Sequence, residues 1–371
     1  MKITIVGGGN VGMLLAADLS LVEDVQITVL TRRPQEYSDT IKVINREDNS
    51  TYMSNTISST NEYAKGIGDA DMVLCTLTSF LYEDFVKKSE PYLKNDTLLG
   101  FIPGFGGAEF ACMPLIEKGI TVFGLQRVPC SCRVQEYGKI SICQSRKPEI
   151  FVSSIPSSKT QKICKIMERL LKVPAIPLAN YLAVTFTPSN PILHPPRMYD
   201  LFKEHIEGTT YTSIPLFYEG WTNEASKILL GCDADVQTLC KKINNLDLSG
   251  VRSLAEHYES DTPERLTKKL RSIPSFAGFL TPMVQTGGEF APDWGSRFFI
   301  EDFPYGLAIF KGFALLANHE TPFLDKLLFW YQAKSGKEYF LSGGQVGKDI
   351  SECGAPQRYG FKTLEEVISF Y

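Results

Sequence analysis

The sequence predicts an α/β fold in which an N-terminal doubly wound sheet precedes a mainly α-helical C-terminal domain. In the first half of the chain, strand-like and helix-like segments alternate, as in a parallel sheet with helices on both faces. After the turn that begins at Thr187, strand-like alternation becomes scarce and helical periodicity replaces it. The chain has 371 residues, more than one hydrophobic core usually serves. We therefore predict two domains, residues 1–186 and 187–371.

The N-terminal elements begin with a buried strand, Lys2–Val6, followed by an amphipathic helix at 11–21 and a second strand at 25–30. Strand, helix and strand in this order form a βαβ unit. Further strands are predicted at residues 72–77, 98–102, 121–124 and 139–143, and further helices at 81–93, 109–118 and 157–171. One or two last strands are predicted between residues 175 and 186.

The C-terminal half shows apolar residues at helical spacing in several segments. The predicted helices are residues 196–206, 249–259, 263–270, 304–318 and 321–335. Three of these segments start at proline, a residue that suits the first helical position. The pattern therefore predicts helices as the main element of the second domain.

Composition limits the classes of partner. The chain carries 38 basic and 42 acidic side chains, for a formal charge of −4, and has no long block of like charges. This argues against a nucleic-acid surface and favours small-molecule partners. The sequence shows neither an export signal nor an apolar stretch long enough for a membrane span. Nine cysteines without a Cys-x-x-Cys pair indicate reduced thiols and no metal site, so we expect a soluble, cytoplasmic protein.

A glycine-rich turn follows the first strand and matches the pattern G-x-G-x-x-G. Gly7 permits the tight turn, Gly9 lets a pyrophosphate approach the backbone, and Gly12 allows the helix to pack on the strand. Asn10 and Val11 open the helix whose N-terminus faces the anion. The context predicts a Rossmann-type dinucleotide site, although a glycine turn without a ligand stays the simpler alternative.

The end of the second strand reads Thr31-Arg32-Arg33, where an acidic residue would bind the ribose of NAD. Two guanidinium groups can bind a 2′-phosphate instead, so we predict NADP, with NAD still possible and solvated arginines as the alternative. Thr76 ends the next strand at the same edge and is a further candidate for cofactor binding. The glycine turn at 103–107 lies at this edge too.

Among the four histidines, His194 stands out because it follows the change of periodicity, in the segment that starts at Asn190. A neutral imidazole can exchange a proton near pH 7. Arg297 and Asp302 stand five residues apart in an aromatic setting. Asp302 could orient His194, and Arg297 could bind a carboxylate. Spacing alone favours simpler interpretations, namely helix caps for His194 and for Asp302, the latter just before Pro304.

The motifs resemble those of the octopine/nopaline (opine) dehydrogenase family over nearly the whole chain. They are the glycine turn, the stretches 124–129 and 132–133, the segment 190–194 and the segment 301–307. In that family two domains flank the cofactor, and a His/Asp pair acts with an arginine five residues before the aspartate. The resemblance implies that His194 and Asp302 are catalytic and that Arg297 and Asn190 bind substrate.

The resemblance also implies a reaction. The amino group of an amino acid condenses with a 2-keto acid, and NAD(P)H reduces the imine to an N-(carboxyalkyl)amino acid. The partners would be these two small molecules, with a homodimer possible. No motif indicates which amino acid is used.

Two other functions stay open. One is a reductase of a simple keto acid, similar to ketopantoate reductase or a hydroxyacid dehydrogenase. Such enzymes commonly use a lysine near the cleft, and the chain has none between Val173 and Asp200. The other is a non-catalytic NADP(H)-sensing protein, against which the presence of His194, Arg297 and Asp302 counts.

Overall fold

The computed structural model describes residues 1–371 and divides into two compact units. Unit 1 comprises Met1–Thr185 together with Tyr371, and unit 2 comprises Phe186–Phe370. Unit 1 is built on a large, mostly parallel sheet, and unit 2 is mainly helical. The predicted α/β class is therefore confirmed. None of the helices is long and apolar enough to cross a membrane.

The large sheet of unit 1 has eight strands in the order β12-β11-β8-β7-β6-β1-β2-β5. Only the β8/β11 pair is antiparallel. The strands are β1 (Lys2–Val6), β2 (Gln26–Leu30), β5 (Ile57–Thr60), β6 (Met72–Cys75), β7 (Leu98–Phe101), β8 (Thr121–Leu125), β11 (Ile150–Ile155) and β12 (Ala175–Pro177). Val6 pairs with Leu30 and with Cys75. The residues that follow these three strands, Gly7, Thr31 and Thr76, therefore share one edge of the sheet.

A smaller sheet of four strands has the order β4-β3-β10-β9. Its strands are β3 (Lys42–Asn45), β4 (Thr51–Met53), β9 (Cys130–Glu136) and β10 (Ile140–Arg146). The helices of unit 1 are α1 (Asn10–Ser20), α2 (Tyr63–Ile67), α3 (Tyr82–Ser89), α4 (Ala108–Ala111), α5 (Met113–Glu117), α6 (Thr160–Leu171) and α7 (Leu182–Thr185). Helix α1 is almost entirely buried because apolar residues cover most of its surface. Because this packing holds α1 in place, the N-terminus of the helix, which directly follows Gly9, has a fixed direction.

Two predictions for unit 1 hold only in part. Only Ala175–Pro177 is a strand in the 175–186 region, and residues 182–185 are helical. This run is buried throughout, and a short buried apolar run does not distinguish strand from helix by its periodicity. The helix predicted at 109–118 is split into α4 and α5, and Pro114 stands at the start of the second piece, where a missing N–H is tolerated.

Unit 2 contains eight helices and one hairpin. The helices are α8 (Asn190–Phe202), α9 (Asn223–Lys242), α10 (Leu254–His257), α11 (Pro263–Ser272), α12 (Arg297–Ile300), α13 (Ala308–Leu316), α14 (Pro322–Ser335) and α15 (Leu364–Ile368). A π-helical turn, Phe303–Leu307, precedes α13. Strands β13 (Met283–Thr286) and β14 (Glu289–Pro292) form the hairpin.

Helix α9 is the longest in the chain, and the sequence analysis does not predict it. Two aspartates on its buried face blur the apolar pattern. Asp233 accepts the backbone N–H of Leu254 at 2.8 Å, and Asp235 accepts those of Phe323 and Leu324 at 2.8 and 3.0 Å. The two carboxylates thus cap the first turns of α10 and α14.

Helix α8 begins six residues before the predicted start at Pro196 and ends at Phe202 rather than at residue 206. Pro195 and Pro196 lie inside the helix, where each removes one backbone N–H donor. The sequence pattern places the helix start at Pro196, and this prediction is wrong. The earlier start places Asn190 and His194 four positions apart on one face of α8.

Candidate active site

The imidazole of His194 and the carboxylate of Asp302 form a hydrogen bond inside unit 2. Nδ1 of His194 lies 2.7 Å from Oδ2 of Asp302. Both side chains are buried, with 4% and 5% of their surface exposed. A carboxylate on Nδ1 selects the tautomer and leaves Nε2 as the atom that can exchange a proton.

Three aromatic residues that the sequence analysis does not predict surround this imidazole. Phe298 stacks on it, with ring centroids 4.0 Å apart and planes at 16°. Phe217 contacts its edge at 5.7 Å. The hydroxyl of Tyr218 lies 2.9 Å from Nε2. Phe298 could have been suspected because it follows Arg297, but no motif distinguishes Phe217 or Tyr218 from other aromatic residues.

Burial in this apolar surrounding controls the protonation of the pair. It lowers the pKa of His194, and the nearby positive charge of Arg297 acts in the same direction, partly opposed by Glu301. Burial also raises the pKa of Asp302 well above its ordinary value. Both effects disfavour a net charge. Burial therefore favours the uncharged imidazole and the uncharged carboxyl over their ionised forms.

The prediction from spacing that Asp302 caps a helix is wrong. Asp302 does precede the π-helical turn, but its side chain makes no capping hydrogen bond there. The backbone carbonyl of Asp302, and not its side chain, accepts the N–H of Leu307 at 3.0 Å. The side chain is hydrogen-bonded to His194 instead. His194 is the fifth residue of α8 and does not cap it either.

The two predicted substrate-binding residues lie at the starts of helices in unit 2. Arg297 is the first residue of α12, its side chain is 55% exposed, and its Nε lies 3.9 Å from Oε2 of Glu301. That ion pair is long and the arginine is exposed, so the guanidinium can rearrange to meet a carboxylate. Asn190 is the first residue of α8, one turn before His194 on the same face, and is half-buried.

In unit 1 the glycine turn has the geometry of an anion cradle. Gly7 has φ +104°, and a Cβ on Gly12 would lie 1.8 Å from the carbonyl oxygen of Gly7. A Cβ on Gly9 would meet nothing within 4 Å, and no side chain caps the N-terminus of α1. Open N–H groups beside an open backbone position fit the pyrophosphate of a dinucleotide. Close packing requires glycine at position 12, whereas the backbone at Gly9 is open to an approaching ligand.

The remaining predicted cofactor residues have defined partners. Asn10 accepts the N–H of Val134 through Oδ1 at 2.7 Å, so its side chain fixes the start of α1 against β9. Val11 follows it, half-buried. The hydroxyl of Thr76 donates to the carbonyls of Val6 and Gly7 at 3.0 and 3.3 Å. Asn10 and Thr76 therefore support the glycine turn.

The arginine segment after β2 is exposed, while Thr31 is buried and bonds through Oγ1 to the hydroxyl of Tyr137 at 2.6 Å. The guanidinium of Arg33 lies 3.8 Å over the Tyr137 ring and 3.0 Å from Oε2 of Glu36. Arg32 extends to solvent. The stack orders one cation at the edge of the sheet where the glycine turn lies.

Comparison with known proteins adds to this geometry. Residues 177–335 match the family model described as NAD/NADP octopine/nopaline dehydrogenase, alpha-helical domain, and residues 3–145 match that of ketopantoate reductase PanE/ApbA. The chain is 29% identical to tauropine dehydrogenase of Arabella iricolor, covering 99% of both chains. It is 28% identical to octopine dehydrogenase of Pecten maximus, covering 100% of this chain and 99% of that one.

The helical half of the chain thus matches the octopine/nopaline dehydrogenase family, and the whole chain is similar to opine dehydrogenases. Like these dehydrogenases, the chain is an NAD(P)-dependent oxidoreductase, as the sequence predicts. Octopine dehydrogenase solved with NADH and L-arginine superposes with a TM-score of 0.86 at 26% identity, covering 100% of this chain and 98% of that one. Yersinopine dehydrogenase with NADP+ bound, at 14% identity and a TM-score of 0.66, shares the fold.

Proposed function

We propose that this chain condenses an α-amino acid with a 2-keto acid and reduces the resulting imine to an N-(carboxyalkyl)amino acid. The observation that carries the proposal is the buried His194–Asp302 pair, 2.7 Å apart, in a chain similar to opine dehydrogenases. A histidine held by a carboxylate at Nδ1 can give a proton to the keto oxygen and take one from the amine. The bound nicotinamide supplies the hydride.

Each predicted site residue of unit 2 has a role in this proposal. Asp302 fixes the tautomer of His194 and keeps the pair neutral. Arg297 binds a substrate carboxylate, for which a planar guanidinium offers two parallel hydrogen bonds. Asn190 presents an amide on the face of α8 that carries His194 and binds a polar group of the substrate. In unit 1 the glycine turn holds the pyrophosphate, with Gly9, Asn10 and Val11 at the helix N-terminus.

We propose NADP over NAD as the cofactor. Arg33 is ordered by its stack on Tyr137, and Arg32 is exposed next to it. Both can meet a 2′-phosphate, and no acidic side chain stands at residues 31–33 to bind a ribose hydroxyl. Glu36 competes for Arg33, and a phosphate with two negative charges would displace it because their contact is solvent-exposed.

The test is a panel of amino acids, with taurine included, crossed with pyruvate, 2-oxoglutarate and glyoxylate. Loss of NADPH and of NADH is followed for every pair. We expect oxidation that depends on both an amino compound and a keto acid. Taurine belongs in the panel because a relative of full matching length is named tauropine dehydrogenase.

A second candidate is reduction of a simple keto acid, and the match of residues 3–145 to ketopantoate reductase favours it. Oxidation by a keto acid alone, unchanged by any amino compound, would support this candidate and contradict condensation. Nucleotide binding without oxidation of any pair would support the sensing function instead. We also propose a cytoplasmic location, which the nine free cysteines favour.

A further inference from the structure

The atom of His194 that must exchange a proton with the substrate is already in contact with a phenol. Asp302 is hydrogen-bonded to Nδ1, and the hydroxyl of Tyr218 lies 2.9 Å from Nε2. Phe298 covers one face of the imidazole at 4.0 Å, and Phe217 lies against its edge. Only 3% of His194 is exposed. The one polar group that reaches Nε2 is therefore the Tyr218 hydroxyl.

Packing and backbone hydrogen bonds hold Tyr218 in this place. Its ring stacks on Phe276 at 3.9 Å and 17°, and it contacts the edge of Phe217 at 4.9 Å. The backbone of the preceding residue is fixed as well, because Nε of Arg197 donates to the carbonyl of Phe217 at 3.1 Å. Arg197 lies three residues after His194 on α8, so one helix positions both members of the His–Tyr contact.

The direction of the hydrogen bond depends on the tautomer of His194. In the form of the pair that can act as an acid, the proton of the Asp302 carboxyl lies between Oδ2 and Nδ1, and the imidazole carries a hydrogen on Nε2 that donates to the phenol oxygen. The hydrogen of the phenol itself then points away from the imidazole, where it can reach a second acceptor. A chain of two donors therefore runs from His194 to Tyr218.

We propose that Tyr218 is a catalytic residue that relays protons between His194 and the substrate, an inference that rests on the proposed condensation. When the amine attacks the keto carbon, the carbonyl oxygen takes the phenol hydrogen. The O–H bond of Tyr218 breaks as the Nε2–H bond breaks, and the Nε2 proton forms a new O–H bond on the phenol. The tyrosine is restored, and the proton of the Asp302 carboxyl moves from Oδ2 to Nδ1, so that a neutral imidazole beside an Asp302 carboxylate remains. No electrons are transferred in this step.

Removal of the hydroxyl tests the relay. In Tyr218→Phe we expect kcat for the condensation to fall about a hundredfold or more, since a positioned acid–base group contributes at least that much. The KM for the nucleotide should stay unchanged and the variant should still fold, because the ring and its stacking remain. The rate in mixtures of H2O and D2O should curve for the wild type, as for two protons in flight, and be linear for the residual activity of the variant.

Tyr211→Phe is the matched control. The hydroxyl of Tyr211 lies 3.2 Å from Nδ1 of His205 in the same unit, and the rings stack at 5.8 Å and 20°. This variant removes a Tyr–His hydrogen bond of the same kind outside the site. It should retain the wild-type kcat and the curved isotope plot.

The other outcomes separate the relay from the proposed function. If the wild type is active and Tyr218→Phe keeps its kcat, the relay is overturned and the condensation stands. A rise in kcat/KM for Tyr218→Phe would show that the phenol only blocks the imidazole, and this also overturns the relay. A wild type that turns over no pair of amino compound and keto acid overturns the proposed function and the relay together.

Discussion

Oδ2 of Asp302 meets Nδ1 of His194 at 2.7 Å although 108 positions separate the two residues in the chain. The contact depends on where α8 and the π-helical turn lie in unit 2, and it is enclosed by aromatic rings. A buried carboxyl group hydrogen-bonded to an imidazole gives little stability that an apolar residue could not. The arrangement is therefore best explained by the chemistry of the histidine.

The first prediction concerns this pair. Asp302→Asn keeps the shape of the side chain but cannot exchange a proton with Nδ1, and its amide N–H favours the wrong tautomer of His194, so kcat should fall about 10³- to 10⁴-fold. His194→Ala should abolish turnover. Nucleotide affinity, measured by fluorescence titration, should not change in either variant. His205→Ala is the control, since His205 contacts Tyr211 away from the site. Near-normal turnover of His194→Ala would contradict the acid–base role.

The second prediction concerns Arg297. Loss of a charge-assisted hydrogen bond costs roughly 1.5–3 kcal/mol, so Arg297→Ala should raise the KM of the keto acid about ten- to a hundredfold. The KM of the nucleotide should not change. Arg265→Ala removes an exposed arginine of α11 that pairs with Asp261, and its kinetics should match the wild type. Equal effects of the two variants would exclude a specific carboxylate contact.

The third prediction concerns the choice of nucleotide. Arg33→Ala and Arg32→Ala remove the cations proposed to meet the 2′-phosphate. Each should lower kcat/KM for NADPH about tenfold, equivalent to 1.4 kcal/mol, and leave the value for NADH nearly unchanged. The measurement is the ratio of the two values for each variant. Arg46→Ala, on the smaller sheet's loop, should leave the ratio unaltered, and a wild type that prefers NADH would contradict the choice of NADP.

The fourth prediction separates the two kinds of glycine in the turn. A methyl group on Gly9 meets open space, so Gly9→Ala should keep the wild-type unfolding midpoint but weaken nucleotide binding by tenfold or more, about 1.4 kcal/mol. Gly12→Ala places the methyl 1.8 Å from the Gly7 carbonyl and should lower both stability and binding. Titration calorimetry and thermal melts distinguish them. Unchanged nucleotide affinity in Gly9→Ala would show that no ligand approaches there.

The fifth prediction concerns Glu109, which is buried in unit 1 and accepts hydrogen bonds from the hydroxyls of Thr185 and Tyr371. Burial raises its pKa from 4.5 to about 7. The folded state therefore binds more protons than the unfolded state between these values, and stability should fall as pH rises from 4.5 to 7. The loss amounts to about 3 kcal/mol at most.

Glu109→Gln removes the ionisable group and should flatten this pH dependence, as measured by denaturant unfolding at several pH values. Glu117→Gln, at an exposed position of α5, should keep the wild-type profile. A Glu109→Gln protein that still loses stability over this range would assign the effect to other groups.

Local sequence determined the parts of the molecule whose contacts are close in the chain. The glycine turn, the βαβ unit and the change to helices near residue 187 depend on neighbouring residues, because hydrophobic period and turn chemistry act over a few positions. The interpretation of His194, Arg297 and Asp302 as one site came from the family resemblance, since spacing alone favoured helix caps.

Only the tertiary structure decided what each of these side chains contacts. The structure shows that α8 begins at Asn190. It also shows helix α9, whose buried face carries Asp233 and Asp235. Tyr218 and Phe298 contact the imidazole of His194. Asp302 could have capped its own helix or met His194, and both choices satisfy a carboxylate. The packing of distant segments selects between them, because a buried imidazole without its carboxylate partner would leave Nδ1 unsatisfied.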